Sequence, residues 1–196
     1  MNKKKICLSK LTEKEKMLKG LPYDASDKEL RKLFFKCKDK IEKYNKTSYK
    51  QKKLREQIIK KLFCSIGKNI YIEPFFYCDY GMNISTGDNV YFNTNCVLLD
   101  CAEIKIGNNV LFGPGVHIYT AYHSIKPQER FVNNKIIDIA APVSIGNNVW
   151  IGGNVTILPG IKIGDNVTIG AGSVVTKNIS SNVVVAGNPC KIIKKL

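Results

Sequence analysis

The 196-residue sequence predicts a mainly β fold: a parallel β-helix, short strands stacked coil upon coil into a three-sided solenoid, with a helical cap before it and one loop extruded from it. Three observations carry this expectation. Apolar residues recur at helical spacing up to Phe63, they recur at a spacing of six from there on, and the six-residue pattern breaks once, for about 24 residues.

The cap comes first. From Thr12 to Phe63 the apolar positions fall on helical faces, as in Leu30, Leu33, Phe34, Cys37, Ile41 and Tyr44, with a second run at Leu54, Ile58, Ile59, Leu62 and Phe63. Two or three helices follow. Thr12 with Glu15 reads as a capping box, Ser26 with Glu29 as another, and Asn45 to Ser48 is the polar break between the longer helices. The cap is assigned to residues 1–64 and the solenoid to 65–196.

In the solenoid Ile145, Ile151, Ile157, Ile163, Ile169 and Val175 stand six apart. Val149, Val155, Ile161, Val167 and Ser173 form an offset set at the same spacing. The pattern appears earlier around Ile106, Phe112 and Ile118, and more loosely around Thr86 and Val90. A hairpin sandwich alternates every second residue between irregular turns, whereas a fixed hexad makes each repeat one flat side of a triangular coil. Gly107-Asn108-Asn109, Gly146-Asn147-Asn148 and Gly164-Asp165-Asn166 suit the corners, where positive φ is open to Gly and tolerable for Asn. The break lies between Ile118 and Val143, an extruded loop at about 119–142, and a long loop inside a regular solenoid is usually functional.

Charge and cysteine content bound the partners. The net charge of +15 is concentrated in residues 1–65, with 21 Lys+Arg against 8 Asp+Glu, while 66–196 is close to neutral. The lysines surround every helix face and alternate with acids, and no nucleic-acid motif accompanies them, so neither nucleic acid nor membrane is expected as a partner. The basic start at Lys3–Lys5 is followed by charged residues and not by an apolar run, so no signal peptide or membrane span is read. Seven cysteines without a C-x-x-C spacing argue for reduced thiols, no metal site and a cytoplasmic location.

Several segments carry a family likeness. They are Thr-Glu-Lys-Glu-Lys-Met (12–17), Asp79-Tyr80-Gly81, Gly-Pro-Gly-Val-His-Ile-Tyr-Thr-Ala (113–121) leading to His123, Ile-Gly-Asn-Asn-Val-Trp-Ile-Gly-Gly (145–153), Gly-Ala-Gly-Ser-Val-Val-Thr-Lys (170–177) and Gly-Asn-Pro-Cys-Lys (187–191). With them the chain resembles the hexapeptide-repeat acyltransferases of the maltose, galactoside and nodulation-factor O-acetyltransferase group. The resemblance implies a left-handed β-helix, a homotrimer with active sites at the subunit interfaces, and acetyl-CoA as co-substrate bound along the seam between prisms.

It also implies site residues. His123 is the expected catalytic base, since a sugar hydroxyl attacks a thioester only as its proton is being removed, and a neutral imidazole suits that task. Direct transfer is expected; Cys96, Cys101 and Cys190 are the alternative nucleophiles for a covalent route, with no sign of activation beside them. Asp24, Asp79, Asn93, Asp100 and Cys101 are the implied acceptor contacts, Cys101 standing where galactoside-type members have an acid. Trp150, Gly153, Ala171, Thr176, Lys177, Lys191 and Lys194 are the implied donor contacts: small residues let the pantetheine arm approach backbone, and lysines meet phosphates. Packing at the prism edge for Trp150, and a solvated tail for Lys191 and Lys194, are the plain alternatives. The expected function is sugar O-acetylation. Acetylation of a xenobiotic by the same fold, and a non-enzymatic basic binder, are the competing readings.

Overall fold

A computed structural model describes residues 11–196; the basic start of the chain read above lies outside the described residues. Helix α1 (Glu13–Leu18) opens with the expected capping box: the Glu15 amide donates to Thr12 Oγ1 at 3.2 Å and the Thr12 amide to the Glu15 carboxylate at 2.8 Å. The second box is not formed. Helix α2 (Lys28–Asn45) is capped by Asp27, whose Oδ1 accepts from the Glu29 and Leu30 amides, while the Ser26 hydroxyl turns back to the Asp24 carboxylate at 2.5 Å. A charged acceptor two residues upstream outcompetes a neutral capping role for Ser26.

Helix α3 (Lys52–Leu62) follows the polar break. The buried faces of α2 and α3, including Cys37, Ile41, Ile58 and Leu62, join one continuous core with Phe76, Phe92 and the solenoid interior. Arg55, buried in α3, fastens the cap to the first coil by donating to Tyr44 Oη, Thr47 Oγ1 and the Ile72 carbonyl.

The solenoid has three parallel walls. The first contains Ile84–Thr86, Ile104–Ile106, Val143–Ile145 and Lys162–Ile163. The second runs from Tyr71–Ile72 through Val90–Phe92, Val110–Phe112, Trp150–Ile151 and Val167–Ile169 to Val183–Ala186, and Lys191–Lys195 pairs antiparallel with its last strand. The third contains Tyr77–Cys78, Val97–Leu99, His117–Tyr119, Thr156–Ile157 and Val174–Val175. Both hexad sets point inward: Ile151, Ile157 and Val175 are fully buried, as are Val155 and Ser173.

The corner between the first and second walls departs from the expectation about glycine. The positive φ there is carried by asparagine, at Asn69, Asn89, Asn109, Asn148, Asn166 and Asn182, each between 55° and 62°. Their side-chain amides form an unbroken ladder, each Nδ2 donating to the next Oδ1 at 2.8–3.0 Å. The glycines two residues earlier serve another need. A Cβ on Gly107 would stand 2.6 Å from the Gly146 carbonyl oxygen of the next coil, so these positions are glycine because the coils touch.

The ladder also measures the coils. Neighbouring rungs are 20 residues apart in the early coils, 18 between Asn148 and Asn166, and 16 at the end. The longer early coils explain why the hexad is loose before Ile106. Among the described residues the buried Thr86 hydroxyl has no hydrogen-bond partner. Thr86→Val keeps the shape and removes that group, so it is expected to raise stability by about 1 kcal/mol in a urea titration; an unchanged or lower midpoint refutes this.

Candidate active site

The extra residues of the early coils, and the extruded loop, lie at one edge of the prism. The chain passes from the third wall to the first through residues 79–83, then 100–103, then 120–142, three successive crossings of the same corner. Asp79, Cys101 and His123 thereby line one cleft of about 690 Å3, together with Tyr23, Arg31 and Phe34 of the cap. The loop is held there by its strand Lys135–Ala140, which pairs antiparallel with Tyr23–Asp24 and with Ala121–Tyr122.

That pairing places Asp138 beside His123. The imidazole Nδ1 is 2.9 Å from the Asp138 carboxylate and 3.2 Å from the Ile137 carbonyl oxygen. The carbonyl can only accept, so Nδ1 carries the hydrogen, and in the neutral ring the lone pair is on Nε2. Asp138 is three-quarters or more buried in its side chain, whereas the ring stays half exposed. Burial, joined by the Asp79 and Asp24 carboxylates, holds the Asp138 carboxyl above the usual range against the pull of His123. Fifteen residues separate the two in sequence and only the loop hairpin unites them, so sequence reasoning missed Asp138.

Residues 16–67 match the maltose acetyltransferase hexapeptide capping motif, and residues 142–177 match the bacterial transferase hexapeptide (six repeats). A maltose O-acetyltransferase from Clostridium difficile 630 superimposes with a TM-score of 0.92 at 52% identity, covering 95% of this chain and 98% of the other. A galactoside acetyltransferase solved in complex with coenzyme A gives 0.90 at 37% identity, covering 94% and 91%. The galactoside O-acetyltransferase of Escherichia coli K12 is 41% identical over 180 residues, 92% of this chain and 83% of its own. The chain belongs to the hexapeptide-repeat acetyltransferases. Its solenoid is the left-handed parallel β-helix of that family.

Two of the five expected acceptor contacts of this acetyltransferase, Asp79 and Cys101, face the cleft. Asp100 does not: it is fully buried beneath it, its Oδ1 accepting from the Asp79 and Tyr80 amides at 2.9 and 2.8 Å and its Oδ2 from the Asn83 amide. It shapes the 79–83 turn and touches no solvent. The Asp24 carboxylate is also spent, on Ser26 and on Lys135 at 2.6 Å. Asn93 lies at a different corner, between the second and third walls, where Gly153 and Ala171 also sit. Trp150 projects from the second wall, more than half exposed, and Thr176, Lys177, Lys191 and Lys194 are exposed at the C-terminal end of the prism.

The three cysteines weighed as nucleophiles are not activated. Burial pushes Cys96 up to about 11 and Cys101 well above its ordinary value, the latter reinforced by Asp79, and Cys190 is raised by burial too. Among the described residues no three His, Cys, Asp or Glu side chains gather as a metal site, and no helix is long and apolar enough to cross a membrane.

Asp100 gives a pH signature. Burial pushes its carboxyl up to about 7, against the lowering pull of backbone donors. A carboxyl raised on folding adds stability that is complete below its unfolded value of 3.8 and is lost as pH climbs towards 7. Urea midpoints between about pH 4 and 7 should therefore fall more steeply in the wild type than in Asp100→Asn, whose amide does not ionise. Parallel profiles would contradict this.

Proposed function

We propose that the chain is a cytoplasmic sugar O-acetyltransferase that moves the acetyl group of acetyl-CoA to a hydroxyl of a mono- or disaccharide by direct transfer, with His123 as general base. The observation that carries this reading is the Asp138–His123 pair, whose imidazole lines a cleft of polar and aromatic side chains. Nε2 takes the hydroxyl proton as the sugar oxygen attacks the thioester carbonyl, and Asp138 supports the imidazolium that forms. The proton then serves the departing thiolate. Raised thiol values at Cys96, Cys101 and Cys190 support a route without an acyl-enzyme.

Recognition of the acceptor rests on Asp79 and Cys101 in the cleft. Asp100 and Asp24 act one step back, holding the turn and the loop strand. The donor residues support acetyl-CoA binding by type: Gly153 and Ala171 leave room beside backbone, exposed Trp150 offers a flat surface, and Lys177, Lys191 and Lys194 meet phosphates. Solved relatives hold coenzyme A and acetyl coenzyme A.

Asn93, Gly153 and Ala171 occupy a different prism edge from His123 in the same chain. A homotrimer in which one subunit's donor edge meets another's His123 cleft reconciles the two sets, and a monomer is then expected to be nearly inactive. The capping motif at residues 16–67 favours a sugar over a xenobiotic acceptor. Coenzyme A release followed over a panel of mono- and disaccharides, with His123→Ala as control, tests the reading: no release with any sugar rejects the acceptor class, and wild-type turnover by the variant rejects the base.

A further inference from the structure

Helix α2, whose Arg31 lines the cleft, places a second cation, Lys38, beside Asp79. Lys38 Nζ stands 3.2 Å from Asp79 Oδ1 and donates at 2.7 Å to the Cys78 carbonyl, while the same ammonium lies 4.4 Å from the centroid of the Phe34 ring. A carboxylate, a carbonyl and an aromatic face thus hold it in one place, and its side chain is about one-third exposed. An ordinary surface ion pair lacks the second and third of these restraints.

Its partner needs such a hold. Asp79 shares the corner with buried Asp100, whose carboxylate fixes the Asp79 amide, and with Asp138 across the cleft. Burial first, and then the Asp79 charge, push both of these carboxyls up, so three acids crowd one small volume. Lys38 meets this cluster from the cap. On the other side the Asp79 Oδ2 faces the Cys101 sulfur at 3.8 Å, a weak donor, so the ammonium is the strong determinant of how the carboxylate is turned.

We infer that Lys38 is a positioning residue for the acceptor-binding carboxylate of Asp79, through which the helical cap sets acceptor recognition in the solenoid. The inference rests on the reading of Asp79 as an acceptor contact. It assigns α2 a role beyond closing the end of the core: the cap orients the group that a sugar hydroxyl meets. Charge and geometry both matter, so an arginine is tolerated where an uncharged side chain of similar length is not.

Steady-state release of coenzyme A with maltose and glucose as acceptors, for wild type, Lys38→Met, Lys38→Arg, Asp79→Asn and the Lys38→Met/Asp79→Asn pair, tests it. Lys38→Met is expected to raise the sugar KM about tenfold while kcat and the acetyl-CoA KM move less than about twofold. Lys38→Arg restores the sugar KM to within about threefold of wild type, and Lys38→Met adds less than about twofold once Asp79 is already Asn. An unchanged sugar KM in Lys38→Met, or the same loss in both Asp79 backgrounds, overturns the inference; the second result marks a purely structural lysine. Thermal melts, expected to stay within a few degrees of wild type, check that the variants fold. Wild type inactive on every sugar refutes the acceptor reading and this role with it, and is told apart from failure of Lys38 alone by the wild-type arm.

Discussion

Replacing His123 with alanine is expected to lower kcat for sugar acetylation by about a thousandfold while the acetyl-CoA KM moves less than about twofold. The hydroxyl of a sugar is a poor nucleophile until a base begins to take its proton. In the cleft the imidazole joins the basicity this step needs to a fixed orientation, since its Nδ1 is tied to Asp138 and Ile137. Asp138→Asn is the milder lesion. The Ile137 carbonyl still accepts from Nδ1, so the tautomer is kept, and the loss is that of a carboxylate supporting the imidazolium, about ten- to hundredfold in kcat. Single-turnover rates at saturating sugar read both. If His123→Ala retains more than about a tenth of wild-type turnover, the proton goes elsewhere.

The second large effect is on stability. Gly107→Ala is expected to cost about 3 kcal/mol, because the new methyl meets the Gly146 carbonyl oxygen at 2.6 Å and its carbon at 2.7 Å, backbone atoms that cannot turn away. Gly172→Ala is the matched control. There φ is +70° and nothing lies within 4 Å, so only the left-handed strain is felt, about 1 kcal/mol. Urea midpoints separate the two: equal losses would mean that contact between coils is not what selects glycine at Gly107, whose φ is not in the left-handed region.

That distinction bears on what the sequence revealed. The hexad announced the solenoid because inward positions repeat, and Ile151 and Ile157 are indeed sealed inside. The corners misled, because a glycine and an asparagine two residues apart look alike as turn formers. Contact between coils is a property of stacking, invisible in one repeat, and it is what separates Gly107 from Asn109. Site residues divide in the same way. The meeting of His123, Asp79 and Cys101 in one cleft is legible from the loop and the segments that carry them, though their roles are proposals. Asp138 and Lys38 were not, because each meets its partner through an antiparallel hairpin or a helix laid across the prism. Asp100 lies in a segment expected to meet the acceptor, and its burial and its bonds to the Asp79, Tyr80 and Asn83 amides are not visible in the sequence.

The last strand of the second wall has a further meaning. A parallel solenoid has no intrinsic end, since the final coil offers the same pattern of donors and acceptors that every earlier coil has already used. Lys191–Lys195 reverses direction and covers the Val183–Ala186 edge with a lysine-rich segment, while α2 and α3 contribute to the core at the opposite end. The protein therefore terminates its own one-dimensional growth at that wall, and a chain cut after Ala186 would expose a template for head-to-tail fibres.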